Sequence, residues 1–251
     1  MGLNFTDTHC HLFSEYYDNV EEILNNAYQK NVCRFITSGC DLRGNEEVLT
    51  RLSDKNIYGV IGYHPDEALN VSEDDLKLLK KNILNDKIVG IGEIGLDYHN
   101  GKDYKKEQIE LFKKQLEIAS NNNLPVVIHS REATKDTIDV LKQFPNVKGV
   151  IHSFSGSIET AKIYISMGYK LGINGVVTFK NSNLKDILKT IVNDIVLETD
   201  SPYLTPHPFR GTRNEPKYIS NIASFISDYI EVSMDELEVI TNNNIRDIFD
   251  I

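Results

Sequence analysis

Three cysteines in 251 residues are too few and too irregularly spaced for a disulfide framework, and no CxxC pair suggests a structural zinc site. No apolar run approaches the roughly 20 residues that cross a bilayer. The N-terminus lacks a basic region followed by an apolar stretch, and strand-like sequence begins at Leu3. No export signal is therefore visible, and the chain reads as cytoplasmic, with no membrane partner and no obligate protein partner expected. No Gly-rich dinucleotide loop and no P-loop is read, which removes the common nucleotide cofactors. No low-complexity linker or shift in composition divides the chain, so residues 1–251 read as one domain. Positive charge is also short. Against 37 Asp and Glu stand 27 Lys and Arg, a net charge of -10, which speaks against a broad non-specific nucleic-acid binder. Part of that acidity has another use if carboxylates hold cations, because two bound divalent ions reverse the sign locally where a phosphate would sit.

What is present is an alternation. Short runs rich in Val and Ile mark strand candidates at 4–9, 33–38, 57–63, 88–93, 125–129, 148–152, 169–173 and 195–198. Helical patterns lie between and after them, at 19–29, 45–53, 72–84, 105–121, 133–143, 157–167, 183–190 and 217–227. Strand then helix, repeated in this way, predicts an α/β fold with a parallel sheet closed as a (β/α)8 TIM barrel. Several strands are apolar at consecutive positions, as expected when both faces are covered. From Ser233 to Ile251 the pattern suggests two short exterior helices, opened by a capping box between Ser233 and Glu236. The Asn-rich patches at 121–123 and 242–244 read as helix ends.

The histidines fall where strands run out. His9 and His11 follow the first strand, His64 the third, His129 the fifth and His152 the sixth; Glu93 and Asp200 hold like positions after the fourth and eighth. Residues two apart on an extended segment share a face, so His9 and His11 present two imidazoles together, with Asp7 on the same side to orient them. Imidazoles and carboxylates converging on one end of a barrel describe a metal centre. A carboxylate such as Glu93 can bridge two cations, one oxygen to each, and Asp200 is placed both to touch an ion and to act as general base toward a shared water. Mixed N and O donors leave the ion open among Zn, Mn, Mg, Co and Ni.

These motifs in this order resemble the TatD family of metal-dependent deoxyribonucleases, within the amidohydrolase superfamily. The matching segments are Asp7-Thr8-His9-Cys10-His11-Leu12, Gly62-Tyr63-His64-Pro65, Gly92-Glu93-Ile94-Gly95-Leu96-Asp97-Tyr98, Val127-Ile128-His129-Ser130-Arg131, Ile151-His152-Ser153-Phe154-Ser155-Gly156 and Leu197-Glu198-Thr199-Asp200-Ser201-Pro202-Tyr203-Leu204, with a further match from Arg210 to Pro216. The resemblance implies His9, His11, Glu93 and Asp200 on one divalent ion and Glu93, His129 and His152 on a second. It also implies hydrolysis of DNA phosphodiesters, with 3′–5′ exonuclease activity in some members. His99 and His207 lie in segments that vary within the family and read as rim residues.

For a phosphodiester, His64 and Arg131 are candidate anion contacts, and the amides beyond Ser153, Ser155 and Gly156 are another. The loop after the eighth strand carries Arg210, Arg213 and Lys217 with Tyr203 and Phe209, a pairing of cations and stacking surfaces that suits a single-stranded end. Tyr98, Lys102 and Lys105 are candidates for the opposite rim. A rival within enzymes is an amidohydrolase or esterase acting on a small molecule or an aminoacyl-tRNA. A metal-binding partner protein is the rival outside catalysis.

Overall fold

The computed structural model describes residues 3–251; Met1 and Gly2, included in the one-domain reading, lie outside them. Eight strands run parallel in sequence order: β1 (Phe5–Cys10), β2 (Val32–Ser38), β3 (Ile57–Ile61), β4 (Ile88–Asp97), β5 (Val126–Arg131), β6 (Gly149–Ile151), β7 (Tyr169–Ile173) and β8 (Ile195–Leu197). The sheet nearly closes on itself where the segment after β8 returns to β1. There the Asp200 N–H donates to His9 O at 2.9 Å and the His11 N–H to Ser201 O at 2.8 Å. The result is the expected (β/α)8 barrel.

Among the described residues seven α-helices lie in the connections: α1 (Val20–Tyr28), α2 (Leu42–Arg51), α3 (Glu73–Asn82), α4 (Lys105–Asn122), α5 (Thr134–Leu141), α6 (Ile158–Ser166) and the single-turn α7 (Leu188–Ile191). Four of their starts follow capping chemistry. Asn19, Asp41, Ser72 and Ser157 each accept a backbone N–H of the first turn, which satisfies donors that the helix itself leaves open. At the other end of α4, Asn123 adopts a left-handed conformation and closes the helix.

Strand periodicity divides the core. Ile36, Val60, Val89, Val127, Val150 and Val196 form one buried cluster, while neighbours such as Phe35, Ile61, Val126, Ile151 and Leu197 belong to a second, larger one. Alternate residues thus face opposite sides of the sheet. The Val-rich cluster is completed by Ile245 and Phe249 of the last helix.

The C-terminal region departs from the two-helix expectation. After α8 (Ile219–Ile230), one continuous helix, α9 (Met234–Phe249), runs through the Asn-rich patch. The asparagines stay helical because their amides have tertiary partners. Asn242 Nδ2 donates to Asn4 O at 3.0 Å and Asn244 Nδ2 to Ile195 O at 2.8 Å. These bonds tie α9 to the entries of β1 and β8, at the end of the barrel away from the histidines.

The fourth strand also differs. Gly90, Gly92 and Gly95 have the spacing of a dinucleotide loop, but all three lie inside β4 rather than at a strand-to-helix turn. Gly95 pairs with His129 at φ +145°, and a Cβ there would meet the His129 carbonyl oxygen at 1.9 Å. Only glycine permits that approach. The strand consequently continues past Glu93 and carries Asp97 to the mouth. Among the described residues no helix is long and apolar enough to cross a membrane.

Candidate metal centre

All six residues singled out as ligands meet at the C-terminal mouth of the barrel. His9 and His11 leave β1 side by side, their rings 5.0 Å apart and nearly perpendicular. His9 Nε2 lies 3.3 Å from Glu93 Oε2 and 3.7 Å from Asp200 Oδ1. His11 Nε2 is 3.7 Å and His152 Nε2 3.5 Å from the same Asp200 oxygen. On the other oxygen of Glu93, His129 Nδ1 stands at 2.8 Å and His152 Nε2 at 3.9 Å. The two oxygens of Glu93 therefore face different imidazoles, as a bridging carboxylate requires.

The donors fall into three overlapping groups: His9, His11 and Glu93; His9, His152 and Asp200; and His64, Glu93 and His129. His152 thus stands between the two sets, its Nε2 3.5 Å from Asp200 Oδ1 and 3.9 Å from Glu93 Oε1 and its ring stacked on His9 with centroids 3.7 Å apart. His64 joins the second, its ring 4.5 Å from that of His129. His64 also caps the turn after β3, Nδ1 accepting the Asp66 N–H at 3.3 Å. One ring nitrogen is occupied by the turn and the other remains for the cavity.

Several partners come from parts of the chain that sequence reasoning did not connect. The Ser38 carbonyl accepts from His11 Nδ1 at 2.9 Å, and Ser38 Oγ meets His9 Nδ1 at 3.1 Å, so both imidazoles turn Nε2 toward the centre. Asp97 Oδ2 is 3.1 Å from His129 Nε2 and Glu198 Oε1 is 3.0 Å from His152 Nδ1, the latter off the line of a good hydrogen bond. Asp7 accepts from both the N–H and the hydroxyl of Thr199. Carboxylates at strand ends were visible in sequence; which imidazole each would meet was not.

Donor chemistry fits a metal site. His9 Nε2 is fully buried and has no hydrogen-bond partner, although two carboxylates face it. Among the described residues, no lysine or arginine pairs with Asp7, Glu93, Asp97, Glu198 or Asp200; every such ion pair lies elsewhere. An acid-rich, buried pocket of this kind needs a cationic counterpart.

Electrostatics agree. Burial opposes ionisation of Glu93, but the imidazoles of His152 and His9 outweigh it and hold the carboxyl well below its usual range. Burial likewise opposes charge on His129 and His152; Asp97 and Glu93 raise the first to about 9, and Glu198, Glu93 and Asp200 raise the second to about 10. Asp7 is pushed by burial to about 8.

These shifts give a pH signature. An imidazole raised from 6.5 contributes stability that is complete below pH 6.5 and is lost as pH rises through 9 and 10. Asp7, a raised acid, loses its contribution between 3.8 and about 8, so the window above that belongs to the histidines. The melting temperature of metal-stripped protein is expected to fall between pH 8 and 10 by about 2–4 °C per kcal/mol lost. The metal-loaded protein, whose imidazoles are already unprotonated ligands, should show a shallower fall. Thermal melts with and without chelator across this range check it; parallel curves would refute the assignment.

A cavity of about 620 Å³ opens above the cluster. Arg131 and His64 line it, as does Cys40, whose Sγ is 3.7 Å from Glu93 Oε2. Phe13, Tyr16 and Tyr203 form one wall, and Glu15, Asp41, Glu47, Asp66 and Glu67 contribute acid to the rim. Arg210 and Arg213 are exposed but do not line it. The Arg210 guanidinium lies 3.8 Å over the Phe179 ring, and that of Arg213 donates to Tyr16 O. Ser153 is occupied by Glu198 and Asn174. Tyr98 is buried against Asp136 with Lys105 over its ring, and His99 pairs with Glu132 outside the cavity.

Comparison with known proteins accords with this geometry. Residues 6–250 match the family described as TatD related DNase. A Bacillus subtilis protein described as the uncharacterized metal-dependent hydrolase YabD is 40% identical, covering 98% of each chain. An Escherichia coli protein, YcfH, described in the same terms, is 30% identical over 98% of this chain and 95% of its own. The crystal structure of YjjV, a TatD homologue from Escherichia coli, superposes with a TM-score of 0.93 at 28% identity, covering 98% of each chain. With the same barrel, near-complete coverage of both chains and a family match spanning almost every residue, the chain belongs to the TatD related DNase family and is a TatD-type metal-dependent hydrolase.

Proposed function

We propose that residues 1–251 act as one cytoplasmic domain that hydrolyses DNA phosphodiester bonds and trims single-stranded or frayed DNA from a 3′ end. The observation that carries this reading is the convergence of His9, His11, Glu93, His129, His152 and Asp200 beneath an open cavity lined by an aromatic wall and by Arg131, which pairs with no acid among the described residues. The family description supports the substrate.

His9, His11, Glu93 and Asp200 would hold one divalent ion and Glu93, His129 and His152 the other, with His64 beside the second; Mg, Mn and Zn all suit these donors. When bound, such a pair makes water acidic and neutralises charge on the phosphoryl oxygens. The protein's own groups do the rest. Glu93 holds the two sets at fixed separation. Asp200, kept ionised by His152, His11 and His9 despite its burial, accepts the proton of the attacking water. Arg131 and the free nitrogen of His64 bind the non-bridging oxygens.

A second reading is favoured by one observation: Glu15, Asp41, Glu47, Asp66 and Glu67 crowd the rim while Arg210 and Arg213 turn elsewhere. That charge suits a small-molecule or aminoacyl ester better than a long polyanion. Metal-stripped protein given a 3′-labelled single-stranded oligonucleotide, with Mg, Mn or Zn added back separately, separates the two. Metal-dependent shortening is expected. No shortening with any ion would move the substrate to a small ester.

A further inference from the structure

The walls of the cavity differ in kind. Its β1 and β8 side is aromatic: Phe13 and Tyr16 from the segment after β1, and Tyr203 from the segment after β8. Phe13 and Tyr16 stack with centroids 6.0 Å apart, Tyr16 meets Tyr203 at 6.0 Å, and Tyr203 lies 6.3 Å from the ring of His11.

Tyr203 is 51% exposed, large for an aromatic side chain that no sequence periodicity requires at the surface. It is nonetheless held firmly. Its N–H donates to Asp200 O at 2.8 Å, its carbonyl accepts from Asn214 Nδ2, and its hydroxyl meets that of Tyr16 at 3.1 Å. The same Asn214 amide donates to Thr199 O at 2.8 Å, so the ring is fixed relative to Asp200. Its two aromatic neighbours meet it near 70° and neither stacks parallel on it, which leaves room for a planar ring.

We propose that Tyr203, backed by Tyr16 and Phe13, is a nucleobase subsite that stacks the terminal base of single-stranded DNA while the adjoining phosphodiester lies over the imidazole–carboxylate cluster. This rests on the nuclease reading and adds its binding determinant. Stacking is indifferent to base identity, so the subsite selects an unpaired end without selecting sequence.

The test pairs a variant with a substrate. Wild type, Tyr203→Ala and Tyr203→Phe are assayed on a single-stranded oligonucleotide with an ordinary 3′ nucleotide and on one whose 3′ nucleotide lacks its base. On the ordinary substrate Tyr203→Ala should raise KM about five- to 150-fold, the range of base–aromatic stacking, with a smaller change in kcat. Tyr203→Phe should restore KM. On the base-less substrate the penalty of Tyr203→Ala should vanish, and wild type should itself show the raised KM. Wild-type discrimination between the substrates needs no variant, so a folding defect cannot hide the answer. Equal KM effects on both substrates in an active enzyme would overturn the subsite alone; failure of wild type on both substrates with every ion would overturn the nuclease reading and the subsite with it.

Discussion

Asp200→Asn is expected to lower kcat by about 10²- to 10⁴-fold, the range of a positioned general base, while the protein stays folded. The site explains why the two effects should separate. Asp200 sits at φ +57°, a left-handed conformation that Asn tolerates about as well as Asp, and its backbone N–H is secured on His9 O. Asn keeps the shape and one oxygen, so a ligand contact can survive. What it lacks is the charge: an amide cannot accept the water's proton near neutral pH. His9, His11 and His152 would also lose the carboxylate that faces all three at 3.5–3.7 Å. Measuring kcat, metal content and melting temperature on one preparation checks the prediction. Wild-type turnover in Asp200→Asn would show that another group takes the proton.

Glu93→Gln should have a different signature, loss of both ions together. Glu93 Oε1 faces His129 and His152 while Oε2 faces His9 and the Cys40 thiol, so each oxygen serves a different set. Replacing one oxygen by NH2 puts a donor where an acceptor stood and removes the negative charge both sets share. Since even outer partners of metal ligands change affinity by about 10–100-fold, affinity for both ions should fall by at least about 10²-fold. His9→Ala, by contrast, removes a nitrogen from one set and should weaken chiefly one ion. Calorimetric titration of metal-stripped protein distinguishes them. If Glu93→Gln kept one site at full affinity, the carboxylate would not be a bridge.

Much of this centre is legible in the amino-acid sequence because its signals are local. Two histidines separated by one residue share a face of an extended strand, and apolar runs ending in His, Glu or Asp mark the same end of each strand in a parallel barrel. The alternation of strand and helix therefore places His9, His11, Glu93, His129, His152 and Asp200 together without knowledge of any distance. Where local signals mislead, a long-range bond is the cause. The asparagines at 242–244 have low helix propensity, yet Asn242 and Asn244 remain inside α9 because Asn4 and Ile195 accept their amides. Strand β4 is expected from its apolar run to stop at Glu93, and continues to Asp97 because Gly95 lets it lie against His129.

The sequence alone determined that His9, His11, Glu93, His129, His152 and Asp200 reach the mouth of the barrel, since strand parity and the order of elements depend on neighbours along the chain. Which of them touch depended on closure. The join between β8 and β1 brings Thr199 to Asp7, and side chains from different strands set Glu198 beside His152, Asp97 beside His129, and Tyr203 beside His11 and Tyr16. The same packing turned Arg210 onto Phe179 and Arg213 onto Tyr16. Periodicity along a chain specifies a face and an end; the partner across the cavity is chosen only when the last strand meets the first.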